Sequence, residues 1–500
     1  MKVQEILRGM NHETVGRLSA AGKFEEAEVM LQREFGGDVD QSRFRQDATR
    51  LYEAWARTYY EANDLAATAA KLQRCLEVGG LTDEKEMRMR TLVLHIYRRL
   101  GRTDAEHEAL RLLEGKWGGS SDAYVRNQIL NEREITEKKT VLKSFPNRLT
   151  VRLTNRCNIL CKMCVMPTEK TWSVPKKTMD EVEALSPYLS DLQWQGGEPF
   201  VVNHAYLSRL IHRAAENPHL SQNIITNGLL MDREWVRTLV RCNVHTRISI
   251  DGATKEVFED IRVGGKWDDL LNGIELFNEE RARQNRHVRL ELHMVVMRSN
   301  YHQLEQMIDF AQEHHFDIVD FSHIVIGANS PDEDIFERGD PQTWAVLQDQ
   351  RARAKAKALR YGLRFGDTLP FPPPGMLPEA EGMVPRAVAD AGLALNVAHG
   401  SVGAAAVAEE PMPPFYCLSP WKQLIIREDG HLITNWHCIV NGRHMHIGHC
   451  EQESLFDGWN SEAMQVFRRK IAGCSQRGHC TPFCLSGSLI DHWRDHIEFI

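Results

Sequence analysis

No run of about eighteen apolar residues occurs in this 500-residue chain, so nothing in it is suited to crossing a membrane. The opening stretch, Met1 to Arg8, mixes acidic and basic residues and has no long apolar core of the kind a secretion signal needs. A cytoplasmic protein is expected. Net positive charge is missing too: a net charge of -8 argues against an extended phosphate-binding surface, and no nucleic-acid partner is expected. What remains is the composition of a soluble globular protein, 42% hydrophobic and 26% charged. Its length suggests about three domains.

Eleven cysteines in a cytosolic chain are poor candidates for disulfides, and nine of them fall in two regions, which favours metal or cluster binding. The first region is Cys157, Cys161 and Cys164, separated by three and then two residues. No fourth Cys or His stands beside them, which argues against a structural zinc site unless a ligand arrives from afar. Three close thiolates can instead hold three irons of a cubane iron-sulfur cluster and leave the fourth iron open. This spacing closely resembles that of the radical SAM superfamily. The resemblance implies a 4Fe-4S cluster on Cys157, Cys161 and Cys164, with S-adenosylmethionine (SAM) on the open iron. It further implies cleavage of SAM to a 5'-deoxyadenosyl radical.

Between residues 12 and 115 a pattern returns at intervals of about forty residues: Ala21-Gly22-Lys23-Phe24, Ala62-Asn63-Asp64-Leu65 and Leu100-Gly101-Arg102-Thr103. Each marks a tight turn between amphipathic helical patterns, and the whole resembles tetratricopeptide repeats. Such a domain offers either a concave surface for a protein partner or a lid on the next domain. Cys75 is expected in its core. The segment 122–143 reads as a polar helix leading onward. Six candidate strands then alternate with helical patterns: 148–153, 192–195, 222–226, 246–250, 290–296 and 318–321. This alternation implies a parallel sheet covered by helices, a partial (β/α)6 TIM-like barrel with functional groups at the strand C-termini.

Gln195-Gly196-Gly197-Glu198-Pro199 follows the second strand. Two glycines allow close approach of backbone to a ligand, and the carboxylate can receive an ammonium group. The stretch matches the GGEP motif of radical SAM enzymes, which implies binding of the SAM amino group. Asn227, at the exit of the third strand, and Ser249 and Asp251, after the fourth, resemble family positions that line the SAM ribose. Arg262 stands where related enzymes often keep an arginine for the SAM carboxylate, a helix-end surface arginine being the alternative. From residue 326 to 415 the character changes, with Pro370-Phe371-Pro372-Pro373-Pro374 and an Ala/Val/Gly-rich run, and a loop or irregular linker is expected.

The last hundred residues carry Cys417, Cys438, Cys450, Cys474, Cys480 and Cys484, with a hairpin expected at 426–430. Their order around Pro420-Trp421, Asp429-Gly430 and Leu455-Phe456 resembles the SPASM and twitch extensions of radical SAM enzymes. That resemblance implies one auxiliary 4Fe-4S cluster on Cys417, Cys438, Cys480 and Cys484, with Cys474 able to replace one of them. Ile471 and Asn435 stand where the family has cysteine. Cys450 and Cys474 are then spare thiols, either buried without a role or hydrogen donors to a product radical. The expected division is a helical domain at 1–144, the barrel at 145–365, the linker at 366–415 and the auxiliary cluster domain at 416–500. The function implied is abstraction of hydrogen from an unactivated C–H of a peptide or protein, giving dehydrogenation, cross-linking or epimerisation. Oxidation or epimerisation of a sugar or other small metabolite is the alternative, and a non-catalytic electron-transfer or scaffold protein is a third. An external reductant such as flavodoxin or ferredoxin is implied as a partner.

Overall fold

The computed structural model describes residues 13–35, 41–164, 170–324, 330–372, 417–436, 438–440 and 443–472. Cys474, Cys480 and Cys484 lie outside them, as does most of the expected linker.

The N-terminal region is helical: α1 (Glu13–Ala20), α2 (Phe24–Phe35), α3 (Gln41–Glu61), α4 (Leu65–Val78), α5 (Asp83–Arg99), α6 (Thr103–Trp117) and α7 (Ala123–Thr136). The three recurring sequence turns join α1 to α2, α3 to α4 and α5 to α6, and they are built alike. Gly22, Asn63 and Gly101 take φ of 75°, 57° and 65°. The next amide in each turn reaches back five residues, Lys23 to Leu18, Asp64 to Tyr59 and Arg102 to Tyr97, each at 2.9 Å. A left-handed residue closes a helix in this way, and Gly or Asn adopts that conformation at least cost. Cys75 is fully buried among Leu72, Leu51 and their neighbours, as expected.

Helix α7 is the polar helix expected within residues 122–143, and part of its polar face is buried. Its Asn131, Glu132 and Glu134 are buried. Glu134 accepts from the amides of Lys143 and Ser144, and Asn131 donates to the Trp421 carbonyl at 2.7 Å. The polar residues satisfy backbone that would otherwise be buried without partners.

All six expected strands form: β1 (Arg148–Arg152), β3 (Asp191–Gln195), β4 (Ser221–Thr226), β5 (His245–Ser249), β7 (Leu290–Val296) and β8 (Ile318–His323), each parallel to the next. The short strands β2 (Leu160–Cys161) and β6 (Arg262–Val263) pair with one another apart from the main sheet. Helices α8 (Lys176–Leu185), α9 (His204–Ala214), α10 (Arg233–Arg241), α11 (Lys255–Ile261), α12 (Trp267–Gln284) and α13 (Leu304–Glu313) lie between the strands in sequence. Leu149, Trp194, Ile224, Ile248, Leu292 and Val319 pack with helix residues such as Val182, Leu207, Ile274 and Met307 in one apolar core.

The expectation of irregular chain from residue 326 fails over its first part. Helix α14 (Pro341–Tyr361) and strand β9 (Arg364–Asp367) form there, β9 parallel to β8. The Asp340 side chain caps the helix, accepting from the Thr343 amide at 2.7 Å, Pro341 sits at its first turn, and Gly362 ends it at φ 73°. These local signals are sufficient, but the proline tract beyond residue 370 dominated the composition. At the other edge β10 (Gln423–Ile426) lies parallel to β1, so chain from near the C-terminus extends the sheet. β11 (His431–Ile433) turns back against β10 as the expected hairpin. β12 (Ile439–Val440) pairs with β13 (Arg443–His444), and β14 (Gly448–His449) pairs with β11. The ten-stranded order β14-β11-β10-β1-β3-β4-β5-β7-β8-β9 is open, a mixed α/β fold with a helical N-terminal region.

Candidate functional site

The cysteine loop leaves the C-terminal end of β1 and is pinned on three sides. The Gly197 amide donates to the Thr154 carbonyl at 2.7 Å, and the Glu198 amide to the Arg156 carbonyl at 2.9 Å. A Cβ on Gly196 would stand 2.6 Å from the Thr154 oxygen, and one on Gly197 only 2.2 Å from the Arg156 oxygen. The glycine pair therefore serves first to seat the cysteine loop, a use of close backbone approach that its sequence reading assigned to a ligand. Asn155 exchanges hydrogen bonds with Trp172, 2.8 Å from the Trp172 amide to Asn155 Oδ1. The third side is the β2–β6 ladder, which sets Cys161 opposite Arg262.

Cys157 is exposed, and Cys161 and Cys164 are half-buried. Asn227 Nδ2 donates to Asn158 Oδ1 at 2.8 Å and stands 3.8 Å from Cys157 Sγ. Arg262 Nη1 stands 3.7 Å from Cys161 Sγ, and Nη2 pairs with Asp251 at 2.6 Å. Burial pushes the Cys161 thiol up to about 11 and raises Cys157 as well. The charges of the neighbouring thiols act in the same direction, and Arg262 opposes them at Cys161. Among the described residues no three His, Cys, Asp or Glu side chains form a finished metal cage. The donor set nonetheless fits an iron-sulfur cluster: three thiols on one loop feel one another's charge, and two side-chain N–H groups point at sulfur. Loading such a cluster must release the thiol protons.

Arg262 is buried, which overturns the surface-arginine alternative. Burial opposes its charge, and Asp251 and Cys161 outweigh that, so its pKa is raised. Asp251 is fully buried; it accepts from the Val295 amide at 2.8 Å as well as from Arg262. Glu198 is also fully buried, and its carboxylate accepts from the Phe200 and Asn227 amides and from Thr226 Oγ1 at 2.7 Å. Burial pushes its pKa up to about 7, against the three donors that lower it. Both carboxylates thus hold strand exits in place. Pro199 is buried at the start of a short helical turn, and Ser249 ends β5 two residues before Asp251.

Sequence reasoning missed the polar face of the sheet. Alternate positions Arg152, Arg247, His293, Asp320 and Ser322 face away from the apolar core. Arg247 pairs with Glu291 at 2.6 Å, and Ser322 Oγ lies 2.9 Å from His293 Nε2. Burial, reinforced by Arg247, pushes the His293 imidazole down to about 3. The signal was present as strict alternation in Leu290-Glu291-Leu292-His293. At the end of β1, Arg152 pairs with Glu428 of the hairpin at 2.8 Å and lies 4.1 Å from the ring centre of Trp436.

Cys417 and Cys438 are both buried, and their turns are joined by Asn435 Nδ2 donating to Ser419 Oγ at 3.1 Å. Cys450 lies elsewhere, its carbonyl accepting from Thr178 on α8 at 3.2 Å, and burial pushes its thiol up to about 11. His449 bonds the Asp429 carbonyl at 3.0 Å, and His431 stacks on His446 at 3.9 Å.

Comparison with known proteins places the domain. Residues 151–340 match the model of the radical SAM superfamily. The chain is 30% identical over 141 residues to GTP 3',8-cyclase of Peptoclostridium acidaminophilum, covering 26% of this chain and 41% of that one. It is 26% identical over 187 residues to PqqA peptide cyclase of Bradyrhizobium diazoefficiens, covering 35% and 47%. The chain thus spans less than half the length of these curated relatives. Among solved structures, Streptococcus suis SuiB bound to precursor peptide SuiA aligns with TM-score 0.49 and 15% identity, covering 81% of this chain and 88% of that chain. No helix among the described residues is long and apolar enough to cross a membrane. This chain carries a radical SAM domain, the domain of radical SAM enzymes, and that family implies SAM and a four-iron cluster.

Proposed function

We propose that this chain removes a hydrogen atom from an unactivated C–H of a peptide or protein substrate, leading to dehydrogenation, a cross-link or epimerisation. The observation that carries the reading is the pair of N–H donors, Asn227 and Arg262, set against Cys157 and Cys161. When bound, the cluster and SAM supply a carbon radical able to take a hydrogen atom. Cys157, Cys161 and Cys164 hold that cluster. Gly196, Gly197, Asn227, Ser249 and Arg262 bound the space for SAM, Glu198 and Asp251 fix that boundary, and Pro199 starts the turn behind it. The six-unit core of the sheet is read as a partial barrel whose concave face receives the substrate.

Cys417 and Cys438, on adjoining turns, supply the first two ligands of one auxiliary cluster, with Cys480 and Cys484 or Cys474 completing it. The peptide reading draws on the likeness to a peptide cyclase. The likeness to a GTP cyclase favours a small-molecule substrate as the second reading. The helical hairpins are read as a repeat-like domain for a protein partner or peptide, and an external reductant supplies electrons.

The test is anaerobic reconstitution of the full chain with iron and sulfide, followed by SAM and dithionite. Release of 5'-deoxyadenosine is expected, and Cys157→Ala, Cys161→Ala and Cys164→Ala each abolish it. Iron near eight per chain, about four for each of two cubanes, is expected. Iron binding without SAM cleavage sinks the reading and leaves an electron-transfer or scaffold role.

A further inference from the structure

We propose that His293 and Ser322 form the seat for a neutral hydrogen-bonding group of the substrate, a peptide amide, and that the concave face discriminates against phosphate-bearing substrates. This rests on the radical reading above and narrows its substrate class.

The sheet register places His293 of β7 beside Ser249 of β5 and Asp320 of β8, with Ser322 two residues further along β8. Val295, two residues past His293, donates to Asp251, the residue that holds Arg262 against Cys161. The His293 layer therefore lies next to the cysteine loop, on the face opposite the apolar core. Ser322 Oγ and His293 Nε2 share one hydrogen bond at 2.9 Å, and Asp320 Oδ2 stands 3.8 Å from the same nitrogen. His293 Nδ1 has no hydrogen-bond partner among the described residues, and the Ser322 hydroxyl retains further capacity to donate or accept. An amide offers an N–H and a carbonyl side by side, which suits a neutral imidazole nitrogen and a hydroxyl.

Charge on this face is already matched. Arg152 pairs with Glu428, Arg247 with Glu291, and Arg262 with Asp251. A phosphate entering here would have to strip a carboxylate from one of these arginines and bury its own charge beside Asp320. His293, held neutral by burial, supplies no cation in its place.

The experiment compares three probes on the reconstituted full chain with SAM and dithionite: a pool of synthetic peptides blocked at both ends, GTP, and UDP-glucose. The readout is 5'-deoxyadenosine release above the probe-free rate. Stimulation by the peptide pool and by neither phosphate compound is expected. His293→Ala raises the peptide concentration for half-stimulation about tenfold, the loss of one buried hydrogen bond, while His293→Gln restores most of it. If His293→Ala fails to fold or load iron, Ser322→Ala carries the same test. Stimulation by GTP or UDP-glucose, by none of the probes, or by peptides equally in wild type and both alanine variants overturns the proposal. Absence of any 5'-deoxyadenosine, with or without probes, strikes the radical reading itself and is told apart by that probe-free rate.

Discussion

At the scale of single residues, Gly197 and Glu198 separate two jobs that a short motif combines. A Cβ on Gly197 would meet backbone, the Arg156 oxygen at 2.2 Å, and backbone cannot swing aside as a side chain can. Gly197→Ala should cost about 1–3 kcal/mol of stability through overpacking and displace the cysteine loop. Denaturant unfolding of the apo chain and iron content after reconstitution check both effects; normal iron loading with unchanged stability would contradict this assignment. Glu198 tests the motif through pH. Its folded pKa, about 7, lies above the ordinary value of 4.5 because burial penalises the charge. The stability it contributes is present below about pH 4.5 and is lost as pH rises through 7, where the buried carboxyl must ionise. Glu198→Gln removes that loss. Melting temperatures of the apo chain at pH 5 and pH 8 should therefore differ more in wild type than in Glu198→Gln, and equal differences would rule the mechanism out.

Elements tell which parts of the fold local sequence can specify. The three helix stops depend on one left-handed residue each, so Gly22, Asn63 and Gly101 were readable as turns before any packing was known. Asn63→Ala should lose about 1–2 kcal/mol, the cost of a left-handed L-residue, while Asn63→Gly should be nearly neutral. Thermal unfolding of the two variants side by side decides it, and equal losses would show that the turn conformation is not what matters. The six strands were legible for a similar reason: each is a short β-branched or alternating run ended by polar turn residues. The pairing of β10 with β1 was not, because β1 lies some 270 residues earlier and nothing in Gln423-Leu424-Ile425-Ile426 names a parallel neighbour. The same limit hid the state of Arg262. Its burial follows from Asp251, eleven positions earlier, and from Cys161 across the β2–β6 ladder, pairings that spacing alone does not express. The cysteine loop was legible as a candidate ligand set from its spacing alone, whereas the N–H groups that face its sulfurs were resolved only once strands β4 and β6 were in place.

On the scale of the whole molecule, the helical region and the sheet are locked together by a buried charge cluster that no single segment contains. Glu132 of α7 accepts from His95 Nε2 at 2.9 Å and Arg98 Nη1 at 3.0 Å, both on α5, and from Lys422 at the start of β10. All four side chains are buried. Burial alone would raise the Glu132 carboxyl; the His95 imidazole, which burial itself keeps from protonating, and the charges of Lys422 and Arg98 outweigh it and hold it well below the usual carboxylate range. Removing the shared carboxylate leaves its cations facing one another without water, so Glu132→Gln should cost about 3–5 kcal/mol. Lys422→Met removes one cation from a carboxylate that keeps Arg98 and His95, and an apolar chain of similar length fills its place, so its cost should be clearly smaller. Because Lys422 leads directly into β10, Glu132→Gln should also speed hydrogen exchange at the β10 amides that pair with β1. Urea unfolding ranks the two variants, and exchange mass spectrometry locates the loosening. If Glu132→Gln proves no worse than Lys422→Met, with β10 protection intact, the cluster is not the joint, and the grip of Arg468 on the Pro420, Thr140 and Trp459 carbonyls must hold the C-terminal strands instead.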